Sequence, residues 1–387
     1  MTERILLLSW KVPPDTSGSA IIVGNLAKQF SRKEMIIAGE RPCSGPPVAW
    51  KDEWPQIVYV TTGWPDTSRG GRWWRRLQLP AVILRGLKIV KSYRCTKLFA
   101  VFPSEEFLVA GHVIAEITGI PMYTYFHNTY VEQRRPGSVH YHIASRLQSR
   151  IFAKALHTFV MSPGMEELYR ERYPHLRCSP LVHSFNEDVP EFEPPPPLRH
   201  PIRFVMCGNV NESCADAVVR VCHAVAHAGG TLSIVSGTPK SHLKNLGILT
   251  EGLEYKTVSR DVVLQCLREA DIVILPHGFT GGLSDEEYRT IFPTKTIELL
   301  ISRRPILAHT PADSYLTRFL RKHECALVVD VPQINAVVAG IERLRHDADL
   351  RSRLVRNALH ASEAFRAPRV ASTLRSILDG THTSLVS

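Results

Sequence analysis

The heptapeptide Phe292-Pro293-Thr294-Lys295-Thr296-Ile297-Glu298 sets a cation and a carboxylate about one helical turn apart, where the residue types predict a helix start. Pro293 fits the opening of a helix, and Thr294 is suited to cap its free backbone amides. Lys295, one residue past the expected cap, adds a mobile charge to a helix end that already favours anions. Glu298 can accept hydrogen bonds from a ribose diol. Together they can grip a nucleoside diphosphate at phosphate and ribose, whereas on an ordinary amphipathic helix the pair would only be solvated.

Elements must hold these groups in place. Asp271-Ile272-Val273-Ile274-Leu275-Pro276 is a short β-branched run, predicting a strand buried on both faces of a parallel sheet. A long polar stretch follows, then the helix, then a strand at Arg304-Pro305-Ile306-Leu307-Ala308. The acidic, proline-rich run Glu187 to Pro197 predicts an extended linker. It separates two α/β halves, each opening as strand, loop and helix: Ile5 to Leu8 before 20–30, and Ile202 to Met206 before 215–226. The tail from Ala358 through Phe365 to Ile377 has helical spacing.

Other chemistry-bearing positions fall at predicted strand ends, where open parallel sheets bind ligands. The loop Lys11 to Ala20 carries Gly18 between two serines, Gly208-Asn209 follows the strand at 202–206, and His127 ends the strand Pro121 to Phe126. Ser162 before Pro163 predicts a capped helix, not a nucleophile, because no Gly-x-Ser-x-Gly elbow surrounds it.

Composition bounds the class. The chain has 387 residues, 44% of them hydrophobic, enough for two cores. Eight cysteines lack paired CxxC spacing, so reduced thiols are expected, not a disulfide scaffold or zinc ribbon. No run reaches the roughly 20 apolar residues of a membrane span. A cytoplasmic protein, peripheral at the inner membrane face at most, is the expectation. The net charge is +10, and segment 69–97 holds nine Lys or Arg and no acid, interleaved with tryptophan and aliphatic residues. That mixture suits an anionic membrane surface. Nucleic acid is not an expected partner, since no helix-turn-helix, finger or RNA-binding signature is present.

The unit from Phe292 to Glu298 and the strand after it resemble the donor-binding region of the retaining glycosyltransferases of family 4 (group 1). The Ser162-Pro163-Gly164-Met165 turn is similar to one in that family as well. The resemblance implies an α/β fold of GT-B architecture, two Rossmann-like parallel-sheet domains facing a central cleft. Residues 1–190 would form the acceptor-side domain, joined by a C-terminal helix at 362–380, and 200–361 the nucleotide-sugar domain. It implies transfer of a hexose from a nucleotide-diphosphate sugar to a carbohydrate or lipid-linked hydroxyl, with retention, in bacterial-type polysaccharide or glycolipid assembly. No metal or other cofactor is implied, the nucleotide sugar being a co-substrate. Lys295 and His127 would serve catalysis, and Gly18, Gly208, Asn209, Arg289, Thr294, Lys295 and Glu298 would bind the donor. Residues 255–260 would meet the nucleobase.

The sequence departs from the family pattern twice. Asn209, Asn211, Glu212 and Ser213 stand where an arginine follows the glycine, and Thr290 stands eight positions before Glu298 where the family has a second glutamate. Asp285, Glu286 and Glu287 in the same stretch are candidate substitutes. A catalytically silent nucleotide-sugar-binding homologue, a GT-B epimerase and an inverting transferase therefore stand as alternatives.

Overall fold

The computed structural model describes residues 3–15, 17–42, 50–63, 69–248, 253–281 and 284–380, without the side chains of 69–72, 260 and 261. Cys43 and the side chains of Arg72 and Arg260 lie outside the described residues. The chain divides into two compact units, 1–186 with 365–387 and 187–364.

The first unit runs β1 (Ile5–Ser9), α1 (Gly18–Ala27), β2 (Met35–Arg41), β3 (Gln56–Thr62), α2 (Arg69–Tyr93), β4 (Lys97–Phe102), α3 (Glu105–Thr118), β5 (Met122–Phe126), α4 (Val139–Lys154), β6 (His157–Val160), α5 (Pro163–Arg172) and β7 (Cys178–Pro180). Its seven strands lie in the order β3-β2-β1-β4-β5-β6-β7, every pair parallel. Strands β1, β4 and β5 are buried along their whole length, so apolar runs replace an alternating pattern. Helix α3 packs against both α2 and α4. A β-carbon on Gly86 of α2 would run into Cδ1 of Ile114 of α3, so the two helices pack closely. Ser104 caps α3, Ser138 caps α4, and Ser162 caps α5 with Pro163 in its first turn, as the sequence predicts.

The second unit runs β8 (Arg203–Cys207), α6 (Ala215–His227), β9 (Thr231–Val235), α7 (Lys240–Asn245), β10 (Leu253–Lys256), α8 (Arg260–Arg268), β11 (Ile272–Pro276), α9 (Asp285–Thr290), α10 (Lys295–Leu300), β12 (Ile306–His309), α11 (Tyr315–Lys322), β13 (Leu327–Val329), α12 (Ile334–His346) and α13 (Ala348–Ser362). Its six strands are parallel, in the order β10-β9-β8-β11-β12-β13. Helix α14 (Ala367–Leu378) then packs in the first unit, with Val370, Ala371, Leu374 and Leu378 in its core.

Four expectations need correcting. The polar stretch after β11 contains α9, because Ser284 accepts from the Glu287 amide and three acids fill the first turn, where the helix dipole favours them. Asp285, Glu286 and Glu287 are therefore helical. Thr294 precedes α10 in right-handed helical conformation and makes no side-chain cap; the Pro293 carbonyl accepts from the Thr296 amide instead. The predicted tail helix is broken by a short turn at Glu363–Phe365 and extended Arg366, so the returning helix begins at Ala367, not 362. The proline-rich run has no helix or strand, as predicted, but it lies against the second unit: Arg303 pairs with Glu193 and Arg356 sits 4.5 Å over the Phe192 ring.

Candidate active site

Both sheets reverse strand order beside their first strand, between β1 and β4 and between β8 and β11, and a crevice opens at the carboxyl end of such a pair. The candidate residues gather at these two places, each within its own unit.

In the second unit Gly208 follows β8 with φ +92, a conformation that favours glycine. A β-carbon there would stand 3.3 Å from Cδ of Lys295, so the lysine stem lies against the glycine backbone. Lys295 opens α10 and Glu298 follows one turn later, partly exposed. Asn209 reaches the neighbouring loop, its Oδ1 3.3 Å from where a β-carbon on Gly237 would be. The structure thus brings Gly208, Asn209, Lys295 and Glu298 to one edge. Arg289, in the last turn of α9, ion-pairs with Asp313 at 2.9 Å, both well exposed. Thr290 is buried, and its hydroxyl donates to the Glu286 carbonyl at 2.9 Å.

The expected base-contacting stretch is partly spent on the fold. Tyr255 donates to the carbonyls of Ser236 and Thr238, and Thr257 to that of Ser236, so both brace the loop after β9.

Sequence reasoning missed the scaffold behind Lys295. His277 follows β11 and is buried, its Nε2 3.1 Å from the Tyr288 carbonyl. Burial, and then the Lys295 charge, push its pKa down to about 4, so the ring is neutral and donates. His309, ending β12, is likewise pushed down to about 4, chiefly by burial. Its Nε2 accepts from Arg220 at 2.9 Å while Nδ1 faces the Val329 carbonyl at 3.0 Å, which fixes the tautomer with the proton on Nδ1. Arg220 also pairs with Asp216 at 2.7 Å, and Asp216 accepts from the Phe279 amide at 3.1 Å. This network anchors the loop leaving β11, where Gly278 has no room for a β-carbon beside the Ser213 carbonyl. One signal was available: His127, His277 and His309 each stand at a strand's carboxyl end.

In the first unit His127 follows β5, buried, with Nδ1 3.1 Å from Oγ of Ser19 and its ring edge-on to Tyr125. Ser19 sits beside Gly18 in the first turn of α1, so the glycine loop and the histidine meet. Burial, and then nearby His183, hold the His127 pKa well below its usual value. Its Nε2 has no hydrogen-bond partner among the described residues. A neutral ring with one unspent nitrogen is equipped to bond a hydroxyl.

The same edge carries a further cluster. The Trp10 indole donates to Glu40 at 2.8 Å, Arg75 lies 4.3 Å over the Trp10 ring, and Lys11 pairs with Asp15 at 2.9 Å. Burial raises the Glu40 pKa against the pull of these cations.

Among the described residues no group of three or more His, Cys, Asp or Glu is placed to hold a metal. One Asp-x-Asp tripeptide does occur, Asp347-Ala348-Asp349, but Asp347 accepts from the Leu350 amide at 2.7 Å and caps α13. The described cysteines are free, and all but Cys266 are buried. No described helix is long and apolar enough to cross a membrane.

The fold is of the GT-B class. The chain superposes on sucrose-phosphate synthase from Thermosynechococcus elongatus with TM-score 0.73 and 14% identity, covering 98% of this chain and 99% of that one. Anabaena Alr3699/HepE in complex with UDP and glucose matches at TM-score 0.69 and 14% identity over 97% and 99%. The lipopolysaccharide outer core galactosyltransferase WaaB matches at 0.63 and 12% over 98% and 100%. At such identities the likeness establishes architecture alone. No family model matches the chain, and no curated protein matches it in sequence.

Proposed function

We propose that the protein is a glycosyltransferase that moves a hexose from a nucleotide-diphosphate sugar to a carbohydrate or lipid-linked hydroxyl. In this reading it retains anomeric configuration and works on a cytoplasmic polysaccharide or glycolipid, at an anionic membrane surface met by segment 69–97. The observation that carries it is Lys295 lying against Gly208 at the switch point of the second sheet, with Glu298 one turn further along the helix. A diphosphate seated on the Gly208 loop would have its charge offset by Lys295, with the ribose diol on Glu298. Because α10 spans only six residues, Lys295 bears more of that charge than the helix end does. Neutral His127, at the first unit's own sheet edge, would direct Nε2 to a hydroxyl of an acceptor bound there. HepE was solved with UDP and with UDP-glucose, which supports a nucleoside diphosphate as the first ligand to try.

Calorimetric titration of UDP, GDP, ADP and CMP tests this directly. One diphosphate should bind selectively, and Glu298→Ala should weaken it by about tenfold, the size of a lost charged hydrogen bond. Absence of binding by all four to the folded protein would refute the reading.

A second reading, a silent nucleotide-sugar-binding homologue, is favoured by Thr290, whose hydroxyl is committed to its own helix. Donor binding without turnover over a broad acceptor panel would select it. Sugar consumption without transfer would point instead to an epimerase.

A further inference from the structure

We propose that α2 and α4 together form a docking face for an anionic lipid bilayer, with its apolar end at the sheet edge that carries Gly18 and His127. Five of the nine large apolar side chains exposed among the described residues lie on these two helices: Trp73 (67%), Leu77 (71%), Leu84 (67%), Val139 (72%) and Ile143 (52%). Such clustering is uncommon on a surface without a partner.

The spacing places each set in a row. On α2 the exposed residues Trp73, Leu77, Pro80, Leu84, Lys88 and Lys91 recur every three or four positions, while Val82, Gly86, Ile89 and Val90 are buried. On α4 the exposed Val139, Ile143, Arg146 and Arg150 do the same opposite buried Ala144, Gln148 and Ile151. Both rows carry their aliphatic and aromatic tips towards the amino end of the helix and end on cations, with Arg76 a further cation beside Trp73 on α2. Each helix leaves the carboxyl edge of the sheet and runs back towards its amino edge, so both apolar ends lie at the carboxyl edge. Exposed Ile117 and Leu156 stand at the opposite edge and belong to neither row.

Charge selects the occupant. Arg76, Lys88, Lys91, Arg146 and Arg150 are exposed and none has an ion-pair partner among the described residues, whereas Glu116, exposed on the intervening α3, is paired with Lys154 at 3.0 Å. Neither helix contains an acid. The Arg76 guanidinium lies over the Trp73 ring at 5.9 Å, the pairing of cation and indole that settles at a headgroup boundary. A surface of unpaired cations with aromatic and aliphatic tips is complementary to anionic headgroups over hydrocarbon. A lipid-linked acceptor would then arrive at the edge that holds His127; only this consequence rests on the transferase reading.

The test is flotation of the full chain with vesicles of equimolar phosphatidylglycerol and phosphatidylcholine, and with phosphatidylcholine alone. Binding to the mixed vesicles, lost in high salt and absent on the neutral ones, is expected. Lys88→Glu with Lys91→Glu and Arg146→Glu should weaken it by about fivefold or more per cation. Trp73→Ser with Leu77→Ser and Ile143→Ser should weaken it as well. A wild-type chain that stays off mixed vesicles, as one whose face meets a protein would, overturns the proposal, and so do variants that bind like wild type. All the changed residues are exposed, and calorimetry with the diphosphates should read the same in variants and wild type. Vesicle binding without nucleotide binding would overturn the transferase reading alone.

Discussion

Lys295 is placed by the start of α10 and by the Gly208 backbone beside its stem, and its charge helps keep nearby His277 neutral. Lys295→Ala should weaken diphosphate binding about tenfold to a hundredfold, measured by calorimetry, because a charged hydrogen bond is worth roughly 1.5–3 kcal/mol. Gly208→Ala should cost about 1 kcal/mol or more in stability and displace Lys295, lowering affinity without touching any charge. The buried histidines set an acid limit. His277 and His309 take up protons at about 4 when folded and near 6.5 when unfolded, so below the higher value the unfolded chain binds more protons. Keeping them neutral therefore costs nothing above about pH 6.5 and lowers stability by roughly 3 kcal/mol each as pH drops to about 4. Urea midpoints at pH 7 and pH 4.5 should show this loss, and His309→Gln should reduce it. Lys295, Glu298 and His127 were legible because a motif or a strand end marks them. The Asp216-Arg220-His309 network was not, since its members are far apart in sequence and only the fold brings them together.

Among the elements, the buried strands were the most legible, because β-branched runs such as Ile272–Pro276 have few alternatives in a parallel sheet. Short helices were least so. The six residues of α9 show no apolar period, and only a serine cap with acids three places on betrays them. The returning α14 has a period, but its start depends on a break that the pattern does not carry. Its attachment is extensive: Leu374 is fully buried, and Arg375 reaches the Gln29 carbonyl and Glu34 while lying 4.2 Å over Phe30. Leu374→Ala should destabilise the first unit by about 2–5 kcal/mol, read as a lowered midpoint in thermal or chemical melts. Ser162→Ala should cost only about 1 kcal/mol, the worth of one cap.

At the scale of the whole molecule, each unit has its own sheet and its own core. All six tryptophans fall between residues 10 and 74, so tryptophan emission reports the first unit alone. The proposed donor grip lies wholly in the second. A saturating diphosphate, at about a hundred times its dissociation constant, should stabilise that unit by about 2.7 kcal/mol. The circular-dichroism midpoint should rise with ligand, and tryptophan emission read alongside reports how much of that rise reaches the first unit; no rise at saturation would overturn the grip. The return of α14 has a further consequence during synthesis. A nascent chain usually folds its domains in order of emergence. Here the helix that covers part of the first core is translated only after the entire second unit, so the first unit must wait, incompletely covered, while the second is made and folds. A ribosome that stalled anywhere between residues 187 and 364 would present that unfinished apolar surface to chaperones.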